Sequence, residues 1–251
     1  MKTIVITGAS SGVGQATARE LVRRGHRVVL NARRADLIEA LAGEIGEAAL
    51  PFACDAADAD AVDAMAADVL SRWGPPDVVV NCAGAGQWKP LADTSAAEAQ
   101  GMMDAPYFAA VNTTRAFLPA MLNRGRGVVI HVNSPACFTP WPGSVGYAAA
   151  RWALRGFHEA LWQDLRGTGV HSCHVVFAKV ASGYFDANPG VEAQMPRLSR
   201  WMPTLTPEDC ARHIVSVIDR PRHTAVFPTL LRVMLVAGRP FPPVMRWFAR
   251  L

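Results

Sequence analysis

Short β-branched and apolar runs alternate with longer segments of helical spacing along almost the whole chain, and this alternation constrains the fold more than any other feature. The strand-like runs fall at 3–6, 27–30, 49–53, 77–80, 127–132, 170–177 and 224–227. The helix-like segments between them fall at 15–24, 35–45, 59–73, 102–124, 148–166 and 207–219. A strand followed by a helix and then another strand makes a crossover, so the pattern predicts an α/β fold with a parallel sheet and helices on both faces. Runs that are apolar on both sides, such as Val78-Val79-Val80, suit strands buried from above and below. No internal repeat or low-complexity linker interrupts the series, which predicts a single domain over 1–251 with an elaborated C-terminal end.

Composition narrows the function classes. With 51% hydrophobic and 18% charged residues, the chain has the balance of a globular protein with a substantial core, which excludes disorder, collagen-like repeats and a disulfide mini-scaffold. Lys plus Arg 25 against Asp plus Glu 21 gives +4, with the basic residues scattered in pairs, so no run tracks a nucleic-acid backbone. The five cysteines are widely spaced without a Cys-x-x-Cys, which indicates buried free thiols and neither a disulfide framework nor a zinc site. The chain passes from Met1 directly into Ile4-Val5-Ile6 with no signal-like apolar stretch, so a cytoplasmic protein is expected. The best apolar run, 230–237, contains Arg232 and falls short of the ~20 residues of a spanning helix.

After the first strand comes Thr7-Gly8-Ala9-Ser10-Ser11-Gly12-Val13-Gly14, leading into an Ala-rich helical segment. Glycines here let the backbone turn sharply and approach a pyrophosphate, while the helix N-terminus offers N–H groups to its charge. Tight turns also need glycine, but the position between first strand and first helix favours a nucleotide site. The second strand ends Leu30-Asn31-Ala32-Arg33-Arg34, where NAD would call for a carboxylate on its ribose diol. Arg33 and Arg34 instead suit a 2′-phosphate, and so NADP(H).

At this point the chain resembles the short-chain dehydrogenase/reductase family, from Lys2 to about Arg220. Thr7–Gly14 is similar to the family's Thr-Gly-x-x-x-Gly-x-Gly loop, Asp55 to its adenine-contacting Asp, and Asn81-Cys82-Ala83-Gly84 to its Asn-Ala-Gly. Asn112, Ser134 and Tyr147 fall where the resemblance puts the catalytic Asn, Ser and Tyr, with thirteen residues from Ser to Tyr. The resemblance implies a Rossmann-like, doubly wound, seven-stranded parallel sheet in three layers with a C-terminal helical lid and tail. It also implies homodimers or homotetramers built on the helices that contain Asn112 and Tyr147. Gly8, Ser10, Ser11, Gly12, Val13, Gly14, Arg33, Arg34, Asp55, Asn81, Ala83, Gly84, Tyr147, Arg151, Val180 and Ser182 are then expected at the cofactor. The catalytic set is Asn112, Ser134, Tyr147 and Arg151.

Two departures sit where the chemistry would occur. The family's Tyr-x-x-x-Lys reads Tyr147-Ala148-Ala149-Ala150-Arg151, and its Pro-Gly after the sixth strand reads Phe177-Ala178, followed by Lys179-Val180-Ala181-Ser182. In the family the Tyr exchanges a proton with a carbonyl oxygen as hydride moves to or from the nicotinamide. A free phenol titrates near ~10 and needs a neighbouring cation to act as a base. Arg151, one helical turn on, supplies positive charge but does not readily lose a proton, so it is a poor member of an Asn112–water–Lys type of relay. Lys179 could return an ammonium to the site or simply face solvent. Ser134 is expected to donate to the substrate oxygen, with the Val180 backbone and Ser182 hydroxyl on the carboxamide.

Large apolar residues mark the substrate side: Trp88, Phe138, Trp141, Tyr184, Phe185, Met195 and Trp201. They favour a bulky hydrophobic carbonyl or alcohol, such as a lipid, steroid, terpenoid or polyketide, although such rings also pack against one another. Residues 183–205 read as a substrate lid. Residues 228–251 read as an amphipathic tail, with Arg232, Arg239, Arg246 and Arg250 opposite Met234, Leu235, Val244, Met245, Trp247 and Phe248. Such a tail suits peripheral contact with an anionic membrane. It equally suits a cover over the substrate pocket or a dimer partner, and Pro240, Pro242 and Pro243 break it into two short helices. The sequence predicts an NADP-dependent ketone/alcohol oxidoreductase. A non-redox acid/base enzyme (dehydration, isomerisation or cyclisation) and a catalytically silent NADP-binding protein stay open.

Overall fold

The computed structural model of the chain describes residues 1–183, 195, 199 and 202–238. Its strands are β1 (Thr3–Thr7), β2 (Arg27–Ala32), β3 (Ala49–Ala53), β4 (Val78–Asn81), β5 (Gly127–Asn133), β6 (Val170–Phe177) and β7 (Thr224–Phe227). They form one parallel seven-stranded sheet in the order β3-β2-β1-β4-β5-β6-β7. The helices are α1 (Gly12–Arg23), α2 (Ala35–Ile45), α3 (Ala59–Trp73), α4 (Ala96–Met103), α5 (Ala109–Arg124), α6 (Val145–Asp164), α7 (Pro207–Asp219) and α8 (Thr229–Gly238).

The period of two along each strand divides the core into layers. Ile4 and Ile6 of β1 pack with Leu21 of α1, Ile38 of α2 and Ile214 of α7, while Val5 packs with Val62 of α3, Phe117 of α5 and Leu161 of α6. Both faces are therefore covered, and each fully buried aliphatic side chain contributes about 1.5–3 kcal/mol. Local signals set the helix starts. Asp58 accepts from the N–H groups of Asp60 and Ala61, and Thr206 and Asp209 cap α7 reciprocally behind Pro207. Each such cap stabilises by about 1 kcal/mol. Because the strand order reverses between β1 and β4, a crevice opens at their carboxyl ends.

One helical segment differs from expectation. The span 102–124 is not a single helix, since a wide π-type turn, Asp104–Phe108, separates α4 from α5. Pro106 lies inside that turn. It has no N–H to donate, and its ring would meet the carbonyl of an ideal preceding turn, so the backbone widens there.

Candidate active site

The crevice is built from the end of β1 outward. Thr7 Oγ1 accepts from the N–H groups of Cys82 and Ala83, each at 3.1 Å, and ties the ends of β1 and β4 together. Gly8 and Gly12 have φ of +69° and +53°, a region that favours glycine. A Cβ on Gly8 would stand 2.9 Å from the Ala83 backbone, and one on Gly14 would strike the Gly8 carbonyl. Ser11 is the N-cap of α1, yet no side chain caps that helix and its first turn holds no acidic residue. Its N-terminus keeps unpaired N–H groups and the positive end of the dipole beside the cleft, a setting that fits a pyrophosphate.

At the next strand end, Arg34 Nη2 donates to Ser10 Oγ at 3.0 Å and to Ser11 Oγ at 3.2 Å, which holds the arginine over the glycine turn. Arg33 is largely exposed, 3.8 Å from a carboxylate oxygen of Asp55. Both arginines, Ser10, Ser11 and Asp55 line a cavity of about 1060 Å³. Asn31, near the same strand end, turns its amide to the carbonyls of Phe52 and Cys54.

The same cavity is also lined by Ser134, Tyr147, Arg151, Lys179, Val180 and Ser182. Ser134 caps the short turn Pro135–Cys137, its hydroxyl accepting from the Ala136 N–H at 3.4 Å. Tyr147 and Arg151 sit one turn apart at the start of α6 and are both buried. Asn133 holds the Arg151 carbonyl at 3.0 Å, and Arg151 Nη1 reaches the Val132 carbonyl at 3.5 Å. Arg151 Nε is buried without a hydrogen-bond partner, and the guanidinium lies so close to Gly84 that a Cβ there would be 2.7 Å from Nη2. Val180 bridges to Leu205, which brings Ser182 beside Gly12. Cys82 also lines the cavity, and burial pushes its thiol up to about 12, so it is no nucleophile near neutral pH.

Two expected site residues are absent from the cavity lining, although each adjoins a residue that lines it. Asn112 is not among the lining residues; its amide donates to the Ala56 and Ala57 carbonyls at 3.2 and 2.8 Å, so it closes the loop after β3. The same helical segment meets the cavity earlier, through Asp104, Ala105 and Ala109, because the π-type turn changes which face looks inward. Pro106 was the available sequence signal for that bend. Asn81 is likewise absent from the lining, its amide turned to Thr114 Oγ1 at 3.0 Å and to His131 Nδ1 at 3.3 Å. The neighbouring Ala83 and Gly84 do line the cavity.

Large apolar residues also line the cavity, beside the polar Gln87, Asp104 and Thr139. Trp88, Trp141 and Met195 line it as expected, joined by Met202, Leu231, Met234 and Leu235. The Trp88 ring is 5.0 Å from Trp141 and 5.9 Å from Tyr147. Phe138 instead packs beneath the lining, with the Arg155 guanidinium 4.5 Å from its ring centre. Tyr184, Phe185, Trp201, Arg239 and the rest of the tail lie outside the described residues. The described part of the tail, α8, turns Leu231, Met234 and Leu235 toward the cavity and leaves Leu230, Val233 and Val236 exposed. No described helix is long and apolar enough to cross a membrane.

An open parallel sheet with a glycine turn at its switch point is the architecture of a nucleotide-dependent α/β enzyme. The family model for short chain dehydrogenases matches residues 2–191, and the chain belongs to that family of oxidoreductases. It is 33% identical over 229 residues to a serine 3-dehydrogenase of Agrobacterium fabrum, covering 88% of this chain and 89% of the relative. It is 31% identical over 226 residues to an NADP-dependent 3-hydroxy acid dehydrogenase of Salmonella typhi, covering 89% and 91%. Among solved structures, the closed form of serine dehydrogenase complexed with NADP+ superposes with a TM-score of 0.82 at 27% identity, covering 91% of this chain and 95% of that one. A short-chain dehydrogenase from Streptomyces avermitilis gives 0.85 at 26% identity, covering 97% and 94%.

Proposed function

We propose that residues 1–251 work as one catalytic domain that interconverts a ketone and a secondary alcohol with NADP(H), on a substrate whose reacting end is flanked by large apolar groups. The observation that carries this reading is that one cavity is lined both by the glycine turn with two arginines and by Ser134 with Tyr147. The cofactor fits the residues present, since the uncapped N-terminus of α1 borders the cavity together with Arg33 and Arg34, and Arg151 Nε is an orphaned buried donor. When bound, NADP(H) supplies or accepts the hydride.

The chain's own residues do the rest. Arg33 and Arg34 hold the 2′-phosphate, the α1 N-terminus holds the pyrophosphate, and Val180 with Ser182 orients the carboxamide. Ser134 donates its hydroxyl to the carbonyl oxygen, and Tyr147 delivers or removes the proton there. Arg151 contributes fixed positive charge and a buried donor, without a proton to exchange.

The names of two relatives carry serine and a 3-hydroxy acid, both small and polar. In this chain Trp88, Trp141, Met202, Leu231 and Leu235 line the cavity, which supports a bulkier apolar substrate, with α8 as its cover; most of the expected lid, 183–205, lies outside the described residues. The inward face of α8 favours pocket cover over a membrane role for the tail. Exposed Phe108 and Leu122 along α5 and Val145 and Trp152 on α6 support a second copy paired on these helices. A second reading, acid/base chemistry without redox, draws support from Arg151, which has no proton to pass along.

The test follows NADPH absorbance against hydrophobic ketones, with serine and 3-hydroxy acids offered in the oxidative direction. Turnover favouring the apolar substrates is expected. Tight NADPH binding with no oxidation in the parent or in Arg151→Lys would overturn the redox reading, and preference for serine would overturn the substrate class.

A further inference from the structure

Seven residues past Arg151, roughly 10 Å down α6, the same helix presents a second cluster with its own chemistry. His158 is fully buried; its Nδ1 pairs with Ser172 Oγ of β6 at 2.8 Å, and its Nε2 has no hydrogen-bond partner. His223, just before β7, pairs its Nδ1 with Thr224 Oγ1 at 3.1 Å. Its Nε2 lies 3.1 Å from Glu159 Oε2. One ligand atom from each of His158, Glu159 and His223 falls within 4.8 Å of the other two. The Trp162 ring stands edge-on to His223 at 4.7 Å and walls one side.

Each imidazole here has the arrangement of a metal-ligating histidine. A hydroxyl occupies Nδ1, which fixes the ring and, when Nδ1 carries the proton, leaves the Nε2 lone pair for a cation. Bonds of about 2.0–2.2 Å at tetrahedral angles place ligand atoms about 3.3–3.5 Å apart, close to the separation His223 and Glu159 already have. The remaining closure falls to the partly exposed side chains of His223 and Glu159, at 37% and 44% exposure. Arg155 competes for the carboxylate, but it approaches the other oxygen, Oε1, at 3.8 Å.

We propose that His158 Nε2, His223 Nε2 and Glu159 Oε2 form a site for a divalent transition metal of the zinc class, with a fourth position open to water. The ion ties α6 to the start of β7, the edge strand that leads into the pocket cover α8. Two nitrogens and one carboxylate oxygen select zinc or cobalt over magnesium or calcium, which prefer all-oxygen shells.

The experiment uses the full chain, freed of metal with a chelator, desalted, and titrated separately with Zn2+ and Co2+. One equivalent is expected to bind, with a rise in Tm and the visible d–d bands of tetrahedral Co2+. His223→Gln and Glu159→Gln, both at partly exposed side chains, should fold like the parent and lose the bands and the Tm rise. Ser172→Ala, which removes only the hydroxyl behind His158, should weaken binding about 10- to 100-fold. Absence of stoichiometric uptake by the parent, uptake that survives in His223→Gln, or a thiolate charge-transfer band pointing to a cysteine would each overturn the proposal.

Discussion

The Arg151 guanidinium carbon lies 5.0 Å from the centre of the Tyr147 ring. One turn apart on α6, the two side chains stack, so the cation lies beside the phenol with donors fixed in a planar fork. Charge is thereby delivered without a group that can pass a proton along. Arg151→Lys is expected to raise kcat, because an ammonium is compact and can exchange protons, while Arg151→Met lowers it. Steady-state kinetics with NADPH decide the matter; equal kcat in all three proteins would show that the cation at this position does not enter the chemical step.

Tyr147→Phe removes only a hydroxyl from a buried ring. It should reduce kcat by about 10²–10⁴-fold, the usual contribution of a positioned acid or base. NADPH affinity and Tm should stay near those of the parent. Fluorescence titration beside the rate measurement separates the two effects, and a fall in affinity without a fall in kcat would count against a proton-transfer role.

Arg33 is expected to read the phosphate that distinguishes NADPH from NADH. Loss of one charge-assisted contact should weaken NADPH about 10- to 100-fold in Arg33→Ala. NADH binding should be unchanged. Calorimetric titration of both cofactors checks this, and parallel losses for the two would point to a folding defect or a contact outside the phosphate.

Gly84 borders the Arg151 guanidinium so closely that an added methyl would lie 2.7 Å from Nη2. Gly84→Ala should therefore cost about 1–3 kcal/mol of stability by overpacking. The same change made in Arg151→Lys should cost less, since the fork is gone. Urea unfolding of the four proteins of this cycle measures the coupling, and strictly additive effects would refute the contact.

Burial holds the His131 and His174 imidazoles well below their ordinary range, each at about 3. Unfolding exposes both rings, which then titrate near ~6.5, so below that pH the unfolded chain takes up protons that the native chain refuses. Stability contributed by the neutral rings is complete above about pH 6.5 and is lost as pH falls toward about 3, with a slope of about 1.4 kcal/mol per unit for each ring. Unfolding free energies measured from about pH 7 down to about pH 4 should fall less steeply in His131→Gln than in the parent. Parallel pH profiles would contradict the assignment.

Periodicity determined much of this protein without tertiary information. Strands at 49–53, 170–177 and 224–227 and helices at 35–45, 59–73 and 207–219 have the boundaries that the sequence pattern predicts. Each is specified locally, by strand runs between turns or by a helix start and an apolar stripe. The glycine turn and the paired arginines were legible from residue type and their places after β1 and β2, whereas Ser134 and Tyr147 came from the resemblance to the dehydrogenase family. Tertiary structure decided the rest. Asn112 turns its amide to the Ala56 and Ala57 carbonyls, partners more than fifty residues away in the sequence. Leu231 and Leu235 entered the cavity only once β7 had placed α8 over it. His158 and Glu159 meet His223 across a long stretch of sequence because the edge strand pairs beside β6 under α6, a contact that no local pattern encodes.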